Sequence, residues 1–293
     1  MIPVSVIVST CRREETLLRA LLSVRAQTEA PLEILVADDN ADGEWNRKVE
    51  AICEKTGAVH IVNPVNLGSA ENRNRAAKMA KGEYLAFLDD DDAYAPDKLK
   101  NQYAAIVSAG ADLCFDDLKL VDENGKTVET RVRDFLIGAE KKDYMRLHLL
   151  NHLCGFDTMM FRRAFFEEIG GIPPIDQGDD LFLTGAAIER GGLICYCPGF
   201  GTTATVHASG GLSSGENKLI CARKTLEFKK KHRDQVSGRE WRYIRVRHFA
   251  VVAFAYLRMR KWIPFAANAA MSFLSSPTMC MRLFIQKMRE RGK

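Results

Sequence analysis

The chain has no glycine-rich loop after its first apolar stretch. Val4 to Ser9 runs into Thr10, Cys11 and Arg12, where a dinucleotide-binding fold would place G-x-G-x-x-G, and this argues against a dinucleotide cofactor. No apolar run is long enough to span a bilayer, since the one from Phe249 to Leu257 is broken by Arg258, Arg260 and Lys261. The opening MIPVSVIVST carries neither a basic region nor a cleavage pattern, so it reads as a strand and not as a signal peptide. The eight cysteines match neither a disulfide framework nor a zinc site, as expected for reduced residues of a cytoplasmic protein. Acidic residues are almost missing from the C-terminal part. Between Gly238 and Lys293 twelve Lys and Arg face only Glu240 and Glu290, so that segment is +10 while the rest of a +4 chain is −6. A mildly acidic body with a basic tail points to a tail that meets phosphate or anionic lipid. Aromatics are too sparse in it to favour a nucleic-acid surface.

With 293 residues, 46% of them hydrophobic and 27% charged, the chain is long enough to bury a full α/β core with an appendage, or two domains. Its most informative stretch is AKGEYLAFLDDDDAYAP. Residues 84–88 are apolar enough for a strand inside a parallel sheet, and they end in Asp89, Asp90, Asp91 and Asp92 before Pro96, which suits the first turn of a helix. Ligands of open α/β sheets bind at the carboxyl ends of strands. Four adjacent carboxylates repel one another, a cost that a divalent cation relieves; the competing reading is a solvated acidic turn. Alternation along an extended chain puts Asp89 and Asp91 on one side and Asp90 and Asp92 on the other.

Residues 4–9, 33–37, 58–62 and 84–88 read as strands, alternating with helices that include 14–27 and about 70–80. This rhythm predicts a single Rossmann-like, mostly parallel central sheet flanked by helices. Asp38-Asp39-Asn40 ends the second strand, where a carboxylate can accept from a ribose hydroxyl or a base N–H. Further along, 96–109 reads as a helix and 113–115 as a short strand leading to Asp116-Asp117. Strands at 119–121 and 127–132 flank a turn, 143–150 and 162–169 are helical, and 155–161 is a strand. A loop over 172–178 delivers Asp179 and Asp180 to the start of a helix. One of them suffices as a cap, and the other is free to act as a base. After strands at 193–196 and 202–206, His207 stands beside a Gly- and Ser-rich loop, either as a metal or phosphate ligand or as a surface histidine. A basic helix at 217–232, apolar runs at 249–257 and 263–274, and a helical face of Met281, Phe284, Ile285 and Met288 make up the tail. Such helices either rest on an anionic membrane or pack on the body with solvated Arg faces.

From Val4 to Ser213 the ordered motifs resemble the family-2 glycosyltransferases of the GT-A fold, of the inverting type that builds bacterial polysaccharides and cell-surface glycans. VSVIVSTCRR is similar to the family's first strand and polar loop, VADDN to its nucleotide-binding strand end, and NLGSAENRNRA to its segment near the donor phosphate or base. LDDDDAY resembles the DxD motif and GDD the Glu-Asp motif. The resemblance implies a GT-A catalytic domain over 1–215, with a nucleotide-sugar half to about 117 and an acceptor half beyond it, then a basic amphipathic helical extension over 216–293. It implies donor contacts from Thr10, Arg12, Asp38, Asp39, Asn66, Gly68, Arg73, Asp89 and Asp90. It places metal on Asp91, His207 and Asp89, and it makes Asp180 the general base with Asp179 in the glutamate position beside it. Ser209 and Ser213 fall in the loop expected to close over the donor.

The function so implied is transfer of a sugar, with inversion and with Mn2+ or Mg2+, from a nucleotide-diphosphate-sugar, a uridine one by preference. The acceptor is a hydroxyl of a saccharide or lipid-linked saccharide, in synthesis of a capsule- or lipopolysaccharide-like polymer. The protein would be cytoplasmic and peripheral on the inner face of the plasma membrane. Two readings stand beside it. A sugar-phosphate nucleotidyltransferase is disfavoured by the missing glycine-rich first loop. A non-catalytic glycan- or lipid-surface binding protein is disfavoured by the intact DDDD and GDD.

Overall fold

A computed structural model describes residues 1–153, 155–175, 178–207 and 215–291. The chain divides into two compact units, one formed by Met1–Tyr144 with Leu153–Ala208 and the other by Met145–His152 with Ser209–Lys293.

The first unit opens with β1 (Ile2–Thr10), α1 (Glu14–Arg25), β2 (Pro31–Asp38), α2 (Gly43–Thr56), β3 (Val59–Val62), α3 (Ser69–Met79) and β4 (Tyr84–Asp89). Val4, Val6, Ile7 and Val8 are all fully buried, as a strand covered on both faces requires. The leucine stripe of α1, Leu17, Leu21 and Val24, packs on the sheet as its spacing predicts. The bounds of α2 come from its caps: the Asp42 carboxylate accepts from the N–H groups of Glu44 and Trp45, and Gly57 closes the helix in the left-handed conformation. The unit continues with β5 (Ala93–Tyr94), α4 (Lys98–Ala109), β6 (Leu113–Asp122), β7 (Thr127–Arg131), α5 (Lys141–Asn151), β8 (Met159–Arg162), α6 (Arg163–Glu168), α7 (Asp179–Glu189) and β9 (Ile194–Val206). From Met145 onward α5 belongs to the second unit.

The strand order is β3-β2-β1-β4-β8-β6-β9-β5, with β7 paired to β6. The sheet is parallel from β3 to β4. Beyond that it is mixed, because β8 enters antiparallel to both β4 and β6, and β9 then runs parallel to β6. Two pairs of expected short strands are each one strand: 113–115 joins 119–121 in β6, and 193–196 joins 202–206 in β9. Pro198 and Gly199 hid the second from the pattern. Gly199 has φ 120, its N–H donates to Asp117 Oδ2 at 3.1 Å, and the β6–β9 register shifts there without breaking the pairing.

The second unit is helical: α8 (Gly215–Lys231), α9 (Gly238–Arg258), α10 (Trp262–Ser275) and α11 (Pro277–Arg291). Ser237 and Glu240 form a capping box on α9, and Arg146 Nε donates to Glu240 at 2.8 Å. The Lys229 ammonium is buried and donates to the Leu149 carbonyl at 2.6 Å. No helix among the described residues is long and apolar enough to cross a membrane.

Candidate active site

The parallel strands β2, β1 and β4 end side by side, and acidic residues leave two of them. After Asp89 the chain turns at once, with the Asp92 N–H donating to the Asp89 carbonyl at 3.2 Å. The turn replaces the alternation expected of an extended chain. Asp89, Asp91 and Asp92 converge, one carboxylate oxygen of each lying within 4.8 Å of the others, and Asp90 turns away from them. It accepts from Thr10 Oγ1 at 2.7 Å, from the Cys11 N–H at 3.3 Å and from Arg13 Nη1 at 3.1 Å, tying the end of β1 to that of β4. Burial nonetheless pushes the Asp90 carboxyl up to about 6, with Thr10 and Arg13 opposing the rise.

The cluster is crowded with charge of one sign. Asp157 Oδ1 accepts from the Asp89 N–H at 2.7 Å, and the Asp157 carboxyl is hydrogen-bonded to Asp92. Burial raises the pKa of both Asp92 and Asp157, and their carboxylate neighbours raise it further. Asp91 is better compensated: Arg13 Nη1 pairs with its Oδ2, and His207 Nε2 lies 2.9 Å from the same oxygen. Its backbone carbonyl accepts from Arg19 Nη2 at 2.6 Å and from Thr205 Oγ1 at 2.9 Å, which fixes the turn.

On the other side Arg73, carried by α3, pairs through Nη2 with Asp89 and stacks its guanidinium over the Phe156 ring at 4.5 Å. It is 5% exposed, and its Nε has no hydrogen-bond partner among the described residues. Asp179 and Asp180 start α7 after Gly178, which is in the left-handed conformation. Asp179 Oδ2 accepts from Ser69 Oγ at 3.2 Å and is attracted by Arg73. Asp180 accepts from the N–H groups of Gly155 at 2.7 Å and Leu181 at 2.8 Å. Burial raises both carboxyls, opposed mainly by Arg73 at Asp179 and by the two backbone donors at Asp180. A carboxylate of raised pKa, held by backbone donors near an arginine, has the properties of a general base.

The end of β2 is built differently. Asp39 accepts from the N–H groups of Leu67 at 2.7 Å and Gly68 at 2.9 Å and from Asn63 Nδ2 at 2.9 Å, and its carbonyl accepts from Asn66 Nδ2 at 2.8 Å. Asp39, Asn66 and Gly68 therefore form one corner that launches α3. Asp38 faces His60, whose Nε2 lies 2.8 Å from its Oδ2, and its Oδ1 accepts from the backbone and side chain of Asn40. Arg12 is exposed at φ 56, and its N–H donates to Asn40 Oδ1 at 2.7 Å. Its neighbour Arg13 is the arginine brought to the carboxylates. Ser209 and Ser213 lie outside the described residues.

The sequence offers Asp92 only as one of four adjacent carboxylates, with no ligand role of its own, and gives no part to Asp157 or Arg13. An acid inside the apolar stretch GFDTMMF was the available signal for Asp157, because a lone buried carboxylate is costly without a partner. Asp89, Asp91, Asp92 and His207 offer hard oxygen and imidazole donors, and the raised Asp92 and Asp157 carboxyls are in excess of nearby cations. That donor set fits Mg2+ or Mn2+.

The profile of glycosyl transferase family 2 matches residues 5–170. The putative teichuronic acid biosynthesis glycosyltransferase TuaG of Bacillus subtilis is 29% identical over 227 residues, which cover 76% of this chain and 85% of TuaG. The UDP-Glc:alpha-D-GlcNAc-diphosphoundecaprenol beta-1,3-glucosyltransferase WfgD of Escherichia coli is 30% identical over 121 residues, 41% of this chain and 47% of WfgD. This chain spans 21% to 59% of the length of seven curated relatives that it matches. Among solved structures, S. aureus TarS 1-349 in complex with UDP-GlcNAc superposes with a TM-score of 0.56 at 21% identity, covering 95% of this chain and 74% of that one.

Proposed function

The chain belongs to glycosyl transferase family 2, and on that premise we propose that it is a metal-dependent, inverting glycosyltransferase using a uridine-diphosphate-sugar. The observation that carries the reading is the Asp89, Asp91 and Asp92 cluster linked by the buried Arg73 to the paired carboxylates Asp179 and Asp180. The names of WfgD and of the TarS complex support a UDP-sugar donor. The names of WfgD and TuaG support a lipid-linked or polymeric saccharide acceptor, which we place in synthesis of a cell-surface polymer of the capsule or lipopolysaccharide kind.

In this reading residues 1–215 form the catalytic domain, with the donor half to about 117 and the acceptor half beyond, and 216–293 form a basic extension that rests peripherally on the cytoplasmic face of the membrane. The donor lies over the ends of β1, β2 and β4. Its base and ribose meet the Thr10, Arg12, Asp38 and Asp39 side, and its diphosphate meets Asn66, Gly68 and Arg73. Asp89, Asp91, Asp92 and His207 would hold the cation, while Asp90 with Thr10 braces the turn that presents them. The cation supplies positive charge against the leaving diphosphate. Arg73 adds a fixed, desolvated charge at the same place. Asp180 takes the proton from the acceptor hydroxyl as that oxygen attacks the anomeric carbon opposite the diphosphate, so an α-donor gives a β-linkage. The bond to the diphosphate breaks as the new glycosidic bond forms. Asp179, beside Ser69 and Arg73, keeps the acceptor side of Arg73 neutralised.

The test is a panel of nucleotide-sugars with manganese and released nucleoside diphosphate as readout, with an acceptor saccharide present. Asp180→Asn is expected to lower transfer by about a thousandfold while donor binding persists, within the range for loss of a general base. Transfer at the normal rate by this variant would remove Asp180 from the role.

A further inference from the structure

Helix α10 is built the wrong way round for a helix in water. Its fourteen residues, WIPFAANAAMSFLS, contain no charged side chain. Its polar residues face inward: Ser272 is buried and donates through Oγ to the Val246 carbonyl of α9 at 2.9 Å, Asn268 is half-buried and donates to the Pro264 carbonyl at 2.8 Å, and Phe265, Ala269 and Ser275 lie on the same half-buried side. The outward stripe is Ile263, Ala267, Ala270 and Leu274, spaced by four, three and four residues, so that they form one continuous face. Ile263 is 86% exposed and Leu274 73%, with Trp262 at the head of the helix and Phe273 and Met271 at its edge also exposed. A surface helix normally shows the reverse, and contiguous exposed apolar faces mark a binding surface.

The charges around this face say what covers it. Arg258, Arg260 and Lys261 precede the helix, Lys261 paired with Glu216 at 3.4 Å, and Arg282 follows it, while the sequence from Trp241 to Arg289 holds no acidic residue. Arg258, Arg260 and Arg282 are exposed. A protein partner for an apolar face carries no requirement for a basic rim at both ends. An anionic bilayer does, since its phosphates lie at the level of the flanks and its acyl chains at the level of the stripe. At 1.5 Å per residue the helix is about 21 Å long, too short to span the hydrocarbon core, so it lies in the plane of the interface. A tryptophan at the helix head suits the headgroup boundary.

We infer that α10 is an in-plane membrane helix whose Ile263–Leu274 stripe enters the acyl region of an anionic leaflet, with Trp262 at the boundary and the flanking arginines on lipid phosphates. The inference deepens the peripheral-membrane part of the reading above and rests on it, and it is independent of the transfer chemistry. It also adds a distinction that net charge does not make. Binding through the +10 segment alone would be electrostatic and reversed by salt, whereas a seated stripe holds against salt.

The test mixes the full chain with vesicles of phosphatidylglycerol and phosphatidylcholine carrying acyl-chain bromine, and reads tryptophan quenching and co-sedimentation at low and high salt. Quenching that disappears in Trp262→Phe is expected, together with retention at high salt and at least a tenfold loss of partitioning in the pair Ile263→Glu and Leu274→Glu, a magnitude set by the burial of two large aliphatic side chains. Donor hydrolysis in vesicle-free solution serves as the folding control for that variant. Salt-reversible binding without quenching would overturn the inserted helix and leave the peripheral reading standing. No vesicle binding at all would overturn both. Concentration-dependent self-association lost in the double variant, in place of vesicle binding, would assign the stripe to a second copy of the chain and overturn the inference.

Discussion

Strands β2 and β4 flank β1 in the parallel part of the sheet, and both end in consecutive aspartates. At β2 each carboxylate is supplied with donors: two backbone N–H groups and an asparagine amide on Asp39, and His60 with Asn40 on Asp38. At β4 the carboxylates face one another, and Asp157 adds a fifth to the four in sequence. The same residue type at the same end of the same sheet thus does two jobs. One set shapes a loop, and the other is left short of positive charge. Folding alone explains the first arrangement. The second costs stability in a ligand-free protein, which makes it the place where a cation has the most to contribute.

Exchanging one acid on each strand gives the sharpest contrast. Asp92→Asn is expected to cut nucleoside diphosphate release about a thousandfold, because a cluster ligand is lost, while raising the melting temperature of the metal-free protein. Asp39→Asn is expected to act with the opposite sign on stability. Its amide would point an NH2 at the N–H of Leu67 or Gly68, leaving a buried donor unpaired at a cost of about 1–3 kcal/mol in urea unfolding. Equal destabilisation by both variants would break the comparison.

A pH series divides the frustrated charge into the part that a cation relieves and the part that it does not. Asp90 beside the cluster and Asp116 in the middle of β6 are each pushed up to about 6 by burial, and Lys98, 3.5 Å away, and Arg133 oppose the rise at Asp116. A carboxyl whose folded value lies above its unfolded one gives its full stability below about pH 4, where it is protonated in both states, and loses it as pH rises to about 6. Each group accounts for at most about 3 kcal/mol over that window. Melting temperatures with and without Mg2+ are expected to diverge as pH rises from about 4 to about 6 and to keep a constant gap above that, since Mg2+ at the cluster offsets the Asp90 share and leaves the Asp116 share in place. A cation effect of the same size at all pH values would show that the cluster is not its origin.

Much of this arrangement is legible in the amino-acid sequence. The strand and helix rhythm to residue 89, the stripe of α1 and the hairpin of β6 with β7 follow from periodicity, which local sequence states directly. The acidic ends of β2 and β4 were also visible, because charge after an apolar run is a sharp boundary. What failed was geometry between neighbours. Alternation paired Asp89 with Asp91 alone, whereas a turn at Asp90 and Asp91 brought Asp92 into the cluster. Pro198 and Gly199 split one long strand into two in the pattern, since a bulge looks like a loop when only residue types are seen. Asp157 is 65 residues from Asp92, and no local rule connects them.

Arg12 and Arg13 make the finest test, since the sequence offers two adjacent arginines and the fold brings one of them to the carboxylates. Arg12 sits exposed in the left-handed conformation, and Arg13 pairs with both Asp90 and Asp91. Arg13 is the arginine paired with Asp91 in the absence of a cation, while Arg73 serves Asp89, so Arg13 competes with a divalent ion for Asp91. Removing it by Arg13→Ala leaves two carboxylates less compensated and is expected to tighten Mn2+ binding by about two- to fivefold, the scale of a partly exposed ion pair. Arg12→Ala is expected to leave that affinity within about twofold, as befits a side chain outside the cluster. Free Mn2+ measured by electron paramagnetic resonance reads both without any turnover. Weaker Mn2+ binding in Arg13→Ala would mean that the arginine holds the ligands in place instead of competing for them, and the β4 end would then resemble the self-sufficient corner at β2 more than its carboxylates suggest.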